Sequence, residues 1–544
     1  MNLITDSWLP VLTRERERVK IKPAQLSDLN IIELDLPRLD FQGAAYQLLI
    51  GLLQTTFAPT DIEDWLEYYD NPPSQDSLQL AFDNVTHAFN VDGNIEGSGA
   101  RFMQDLDSLE HIKSPNSIAN LLIEAPGGNT LKLNKDFFVK RDLVEQLSLP
   151  MAALALFTLQ INAPSGGVGH RTGLRGGGPM TTLVRPSNAD SSLWQKLWWN
   201  VINRKEFEYP EPDFTDGSVF PWLAATRVSD KTGEPIYRGD VHPLHVYWAM
   251  PRRIRLIIDA PTTDQSSTDL ALTDMTDSLT GDVCQQVVSH YRTQNYGHNY
   301  EGDWSPHPIT PYRTNPKKTE DTPFSIKAQP GGINYKLWHM LTFTGKDNST
   351  GFIRAKVIDH AHEVYAESLG EISASRLWAF SYDMDNMKAR GFYSKELPIY
   401  YISAGHQTQL LATVLELHTL TESIVKQLRN SIKYSWMSER QAKDSKGDMS
   451  MIDTMFWQRS EPSFFAAVED AINHEGKMTP VAALMWLNKI CTLAKQIFDE
   501  QVLASSKVEQ RHMAQLDGLN AFLYGNKQLT IFRNRQKTNN KEST

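Results

Sequence analysis

The chain has 544 residues, 40% of them hydrophobic, which is long for a single core and points to roughly two to four packed domains. Its formal charge of -11 excludes a protein that coats nucleic acid by bulk electrostatics, so any nucleic-acid contact has to be local. Two cysteines, Cys284 and Cys491, exclude a disulfide framework and a four-cysteine zinc site, and fit a reduced, cytoplasmic setting. No basic-then-apolar leader is visible and no apolar run approaches the ~20 residues that span a bilayer, so a soluble protein is expected.

In chain order, Asn2 to Leu26 places a short apolar strand beside the charged, hairpin-like RERERVKIK, which reads as a strand pair. Phe41 to Phe57 has apolar residues at helical spacing with few charges and reads as a buried helix. Asp61–Asp70 and Ser77–Asn90 read as amphipathic helices separated by Pro72-Pro73, while residues 91–120 show no strong periodicity. Leu121 to Phe138 holds a Pro-Gly-Gly turn followed by polar and basic residues, a loop ahead of a strongly apolar helix over Pro150–Gln160.

Ser191–Ile202 is a helix whose Trp194, Trp198 and Trp199 share one side, which is a core or interface stripe rather than a base-stacking platform. MPRRIRL, from Met250 to Leu256, alternates as a strand with Arg253 and Arg255 on one face, either a ligand-facing basic surface or a solvated one. Residues 260–283, rich in Thr, Asp and Ser, read as a surface loop. His290 to Lys327 interleaves aromatics with cations, among them Arg292, Lys317 and Lys318, the composition that tracking a nucleic-acid backbone requires. A helix over Lys356–Leu369 and a strand over Leu377–Tyr382 lead into the turn DMDNMK.

From about Ile402 the pattern changes to long helices. Leu410, Val414, Leu417, Thr421, Ile424, Leu428 and Ser431 recur at intervals of four and three as a bundle seam. Thr479-Pro480 starts a helix over Val481–Val502, and Ser463–Ile472 and Val508–Leu523 complete four. The predicted fold class is α+β: a mixed α/β body over residues 1–400, a four-helix bundle over 401–524, and a basic, flexible tail over 525–544.

The densest special feature is APSGGVGHRTGLRGGGPMTTLVR, from Ala163 to Arg185, whose seven glycines cannot continue as helix or ordinary strand. Glycines let backbone N–H groups approach a ligand, and Arg171, Arg175 and Arg185 set cations among them, as a phosphate or nucleic-acid groove requires. A plain connecting loop is the equal alternative. The stretch is neither a Walker loop, since no Gly-Lys-Ser/Thr follows, nor a dinucleotide fingerprint.

Taken with NLITDSWLPV (Asn2–Val11), WAMPRRIRL (Trp248–Leu256), HPITPY (His307–Tyr312) and YDMDNMKARGFY (Tyr382–Tyr393), this stretch resembles the large subunit of the type I-E CRISPR surveillance complex, Cascade. The resemblance implies a non-catalytic subunit that reads the short motif beside a double-stranded DNA target, promotes duplex opening and recruits a helicase-nuclease. The implied partners are the other Cascade subunits with their guide RNA, the DNA target and that effector, without cofactor or membrane. By the same resemblance Gly166, Gly167, Val168, Gly169 and Arg171 form the DNA-contacting loop, Val168 standing at one family glycine. Asp385, Asn386 and Met387 form the wedge between base pairs, Asn386 standing where the best-known members have glutamine. Leu122 aligns with an aromatic contact of the family, and Asn295, with Arg292 the nearest cation, aligns with its groove lysine. Some family members carry paired cysteines that suit zinc, whereas only Cys284 stands in that part of this chain, so no metal is expected.

His242 and His245 lack a third ligand at a metal-binding spacing. The competing readings are a metal-dependent phosphohydrolase built on Asp359, His360 and His362, and a scaffold that binds only protein.

Overall fold

The computed structural model describes residues 1–93, 99–126, 130, 132–133, 144–164, 166–231, 233–260, 286–315, 321–343, 351–372, 374–385, 388–437, 439–444, 449–505 and 509–542. The chain divides into two compact units, Met1–Ala328 with Thr344–Ile399, and Gln329–Phe343 with Tyr400–Thr544. No described helix is long and apolar enough to cross a membrane.

The first unit opens with β1 (Leu9–Thr13), β2 (Arg18–Ile21) and β3 (Ile31–Leu34), an antiparallel sheet in the order β2-β1-β3. Helix α1 (Leu39–Thr56) follows and is buried along nearly its whole length, as its scarcity of charges requires. Helices α2 (Ile62–Asp70) and α3 (Gln75–Asp83) are capped by Asp61 and Ser74, whose side chains accept backbone N–H bonds from the first turn. Helix α3 thus begins two residues before the expected start and ends at Asp83. Helix α4 (Leu149–Asn162) is apolar on all sides and buried.

Strand β4 (Thr181–Pro186) precedes α5 (Leu193–Trp198), whose Trp194 and Trp198 stack at 4.8 Å. Their indole N–H groups donate to the carbonyls of Tyr68 and Trp65, which makes the tryptophan helix a core element. Strands β5 (Arg253–Asp259) and β6 (Val287–Gln294) pair antiparallel, with short edge strands at Asn116–Ser117 and Leu147–Ser148 on β6. A small sheet joins β7 (Tyr312–Arg313) to β8 (Phe324–Ser325) and β9 (Phe352–Ile353). Helix α6 (Lys356–Glu367) then leads to β10 (Ala374–Asp385) and β11 (Lys388–Pro398), which with β4 make a sheet in the order β11-β10-β4.

The second unit is helical: α7 (Ala404–Trp436), α8 (Ser450–Ile472), α9 (Pro480–Gln501), α10 (Glu509–Gly525) and α11 (Lys527–Glu542). Every residue of the expected seam is buried, from Leu410 to Ser431. Tyr335, from the segment Gln329–Phe343, stacks on Phe464 of α8 at 4.2 Å and shares a hydrogen bond with Ser460.

Residues 527–542, read as a flexible tail, form α11, because Leu529, Phe532 and Gln536 fall on one side and are buried while Lys527, Arg535 and Lys537 are exposed. Phe532 packs edge-on against Trp486 of α9 at 5.9 Å, and Arg535 pairs with Glu416 of α7 at 2.7 Å.

Candidate nucleic-acid interface

Antiparallel pairing decides where the two singled-out loops lie. Thr181, the first residue of β4, stands opposite Phe380 of β10, and β10 runs five residues further, to Asp385. The glycine stretch that feeds β4 and the tip of the β10–β11 hairpin therefore leave the sheet at the same end. They touch there: Ser381 Oγ donates to the Gly178 carbonyl at 3.0 Å. Gly178 has φ +59, and a Cβ at that position would fall 2.6 Å from Met384 Cγ, so only glycine admits the contact.

The glycine stretch has two halves with different duties. Residues 173–178 fold back on the end of α4, with Gly173 N–H donating to the Ala163 carbonyl at 3.1 Å and Gly178 N–H to the Asn162 carbonyl at 3.0 Å. That half is buried scaffold. Gly166, Gly167 and Val168 form the projecting half, and Val168 presents an apolar side chain that is 79% exposed. Gly167 takes φ +108 with open space beyond it, a backbone state that side chains rarely adopt.

The arginines do not form the array of free cations that their spacing suggests. Arg171 donates from Nε to Ser229 Oγ at 2.8 Å and anchors the loop. Arg175 is buried and donates to Thr310 Oγ1 at 2.9 Å, Thr181 Oγ1 at 3.0 Å and Gln47 Oε1 at 2.8 Å; burial lowers its pKa to about 10. Arg185 is held between Glu33 and Glu396 and lies 5.2 Å over the Trp378 ring.

A residue not singled out by sequence reasoning, Arg252, clamps the loop base by donating to the Pro164 carbonyl and to His170 Nδ1. Accepting that bond requires a neutral His170, and its pKa is lowered by burial and by the Arg252 charge. Asn295 also proves to be a pin: its amide donates to the Val168 carbonyl at 2.9 Å, and the neighbouring Tyr296 N–H donates to the Gly169 carbonyl at 2.8 Å. Neither partner is adjacent in sequence, so local pattern gives no sign of either contact.

On the hairpin, Arg390 makes a forked pair with buried Asp383, at 2.7 and 3.1 Å, and reaches toward Asp385 at 3.8 Å. Asp385 is 64% exposed and pairs with Lys388 as the last rung of the ladder. Asn386 and Met387 lie outside the described residues, as do Lys317, Lys318 and Cys284.

The remaining expected residues are dispersed. Leu122 is buried, 9% exposed, at the end of a short 3-10 turn, and Arg292 is half-buried on β6 opposite Arg255. Neither open reading of the Arg253/Arg255 face holds: both side chains are buried, Arg253 paired with Asp105 and Arg255 donating to the Asp105 carbonyl at 2.9 Å. His242 and His245 are engaged by the carbonyls of Pro210 and Ser218. Exposed Asp359 accepts from Arg354 at 2.6 Å, while His360 is buried against Trp65 with Nδ1 2.6 Å from Glu206. No group of three or more metal-ligating side chains occurs among the described residues.

Similar folds exist. The structure of Thermus thermophilus CasA superposes with a TM-score of 0.64 at 14% identity, covering 96% of this chain and 99% of that one. Cse1 from Acidimicrobium ferrooxidans gives 0.62 at 14%, covering 98% of each chain. A chain of a CRISPR RNA-guided surveillance complex gives 0.64 at 14%, covering 96% of this chain and 99% of that one. At these identities the likeness is one of fold. Family membership rests on sequence: the family model described as CRISPR-associated protein Cse1 matches residues 2–497, spanning the glycine stretch, the hairpin and most of the bundle. The chain belongs to the CRISPR-associated Cse1 family.

Proposed function

We propose that this chain is a non-catalytic, DNA-reading subunit of an RNA-guided surveillance complex in the cytoplasm. In this reading the projecting half of the glycine stretch lies against the duplex beside the target. The hairpin tip, residues 385–387, enters between base pairs and starts duplex opening, after which guide RNA pairs with the exposed strand and a helicase-nuclease is recruited. Chains of this fold occur in CRISPR RNA-guided surveillance complexes, which supports assembly with guide-bearing subunits.

The observation that carries the proposal is the emergence of the glycine stretch and the hairpin at one end of the β11-β10-β4 sheet, where the buried half of the stretch is bonded to β10 through Gly178 and Ser381. A reader and a wedge have to act on adjacent base pairs, and a shared sheet end holds them at a fixed distance. The phosphohydrolase reading draws no comparable support, because Asp359 and His360 are committed to different partners.

The test uses the guide-loaded complex, with and without this chain, in duplex gel shifts at several salt concentrations. Val168→Asp adds a negative charge at an exposed position without a positive-φ penalty, and should weaken binding by about tenfold, equivalent to ~1.4 kcal/mol. Binding unchanged at every salt concentration would remove the loop from the interface.

A further inference from the structure

Against Gly176, in the buried half of the glycine stretch, the first unit contains a cavity of about 150 Å³. A water's share of liquid volume is ~30 Å³, so the space exceeds what one bridging water fills. Its walls include Arg175, Tyr312, Ser325 and Lys327, with Phe324 at its rim 59% exposed, and no lining residue among the described ones is acidic.

Two polar groups here lack the partners that burial demands. The Tyr312 hydroxyl has no hydrogen-bond partner among the described residues although the residue is only 4% exposed. Lys327 forms no ion pair among the described residues, and burial, uncompensated by any carboxylate, lowers its pKa. Burial also holds the Tyr312 pKa above its ordinary value, so the hydroxyl remains a donor. Beside the half-buried Lys327, Arg175 adds a buried cation whose N–H groups are committed elsewhere. Of the other charges that reach Tyr312, Arg238 is cationic, and Asp303 is engaged by Ser305 N–H and Oγ at 2.7 Å each.

Two cations and an idle donor around one cavity, with no carboxylate among its described lining residues, call for negative charge as well as acceptors. Water supplies only the acceptors. We propose that this cavity is a binding site for a tetrahedral oxyanion, a phosphate group received by the Lys327 ammonium and the Tyr312 hydroxyl. The phosphate comes either from solution or from a nucleic-acid backbone; the backbone source rests on the function proposed above, whereas the anion site does not.

The full chain is titrated with inorganic phosphate by calorimetry at constant ionic strength, with chloride as the control ion. Wild type should saturate, and Lys327→Met should lose affinity by about tenfold or more, as removal of a charge-assisted bond does. Tyr312→Phe should weaken phosphate binding without lowering the thermal midpoint in phosphate-free buffer, since the hydroxyl it removes has no partner. Absence of saturable phosphate binding, or equal binding by wild type and both variants, overturns the site. In the guide-loaded complex, a Lys327→Met defect in duplex binding that excess phosphate reproduces in wild type supports the backbone source. A variant that loses phosphate but binds duplex normally retains the site and overturns that source, leaving the DNA-reading proposal to the Val168 test.

Discussion

Arg171 and Arg175 are four residues apart in one glycine-rich stretch, and their sequence context makes them equivalent, yet their surroundings separate them. Arg175 supplies donors to Gln47, Thr181 and Thr310, whereas Arg171 holds a partly exposed loop to Ser229. Arg175→Met would remove the guanidinium donors of three buried acceptors, leaving Gln47 only the longer bond from Thr181, and should cost about 2–4 kcal/mol in urea unfolding, against about 1 kcal/mol or less for Arg171→Met. Equal losses would show that Arg175 is not the internal anchor. The same blindness affects Arg253 and Arg255: alternation placed them on one face, but Asp105, which makes that face internal, lies about 150 residues upstream. Burial of a charge is decided by its partner, and distant partners leave no local pattern.

Elements were more legible than their contacts. Helix α1 and the α7 seam were readable because spacing encodes a buried side directly, and α9 because Thr479 caps it with Pro480 in its first turn. The hairpin and the glycine stretch were recognisable individually as loops, but their meeting depends on β4 pairing with β10 almost 200 residues later. Segment Gln329–Phe343 joins the helical unit through Tyr335 and Phe464, an aromatic contact that sequence gives no means of pairing. Helix α11 was hidden by its basic composition, since three buried positions spaced by three and four are easily lost among polar residues. Truncation after Gly525 removes fully buried Leu529 and Phe532 and should destabilise the helical unit by about 3 kcal/mol, with faster hydrogen exchange in α9. Unchanged exchange in α9 would make the helix an appendage.

For the molecule as a whole, buried histidines tie stability to pH. Burial lowers His245 to about 3, His298 to about 4, His339 to about 4 and His418 to about 3. Unfolded histidines titrate near ~6.5, so below that pH the unfolded chain takes up protons that the fold refuses. This contribution is complete above pH ~6.5 and is lost as pH falls toward about 4; Glu33, which burial would raise but which Arg185 and Lys196 together hold below its ordinary range, adds loss only below pH ~4.3. Denaturation midpoints should therefore fall steadily from pH 7 to pH 5, and a flat or rising trend would contradict neutral burial. His170 extends the effect to the glycine loop, because protonation removes the acceptor that Arg252 uses to clamp it.

The central claim is a division of labour between that loop and the hairpin tip. Parting the first base pair costs a few kcal/mol, which an inserted tip offsets in part, and guide pairing is nearly balanced once begun. The decisive measurement is the rate of guide–target pairing by the loaded complex on fully paired duplex and on duplex already mismatched beside the flanking motif. It compares Asn386→Ala with Met387→Ala in one chain against Val168→Asp in another. Pre-melting should restore the hairpin variant to wild-type rates and leave the loop variant defective; rescue of both, or of neither, would contradict the account.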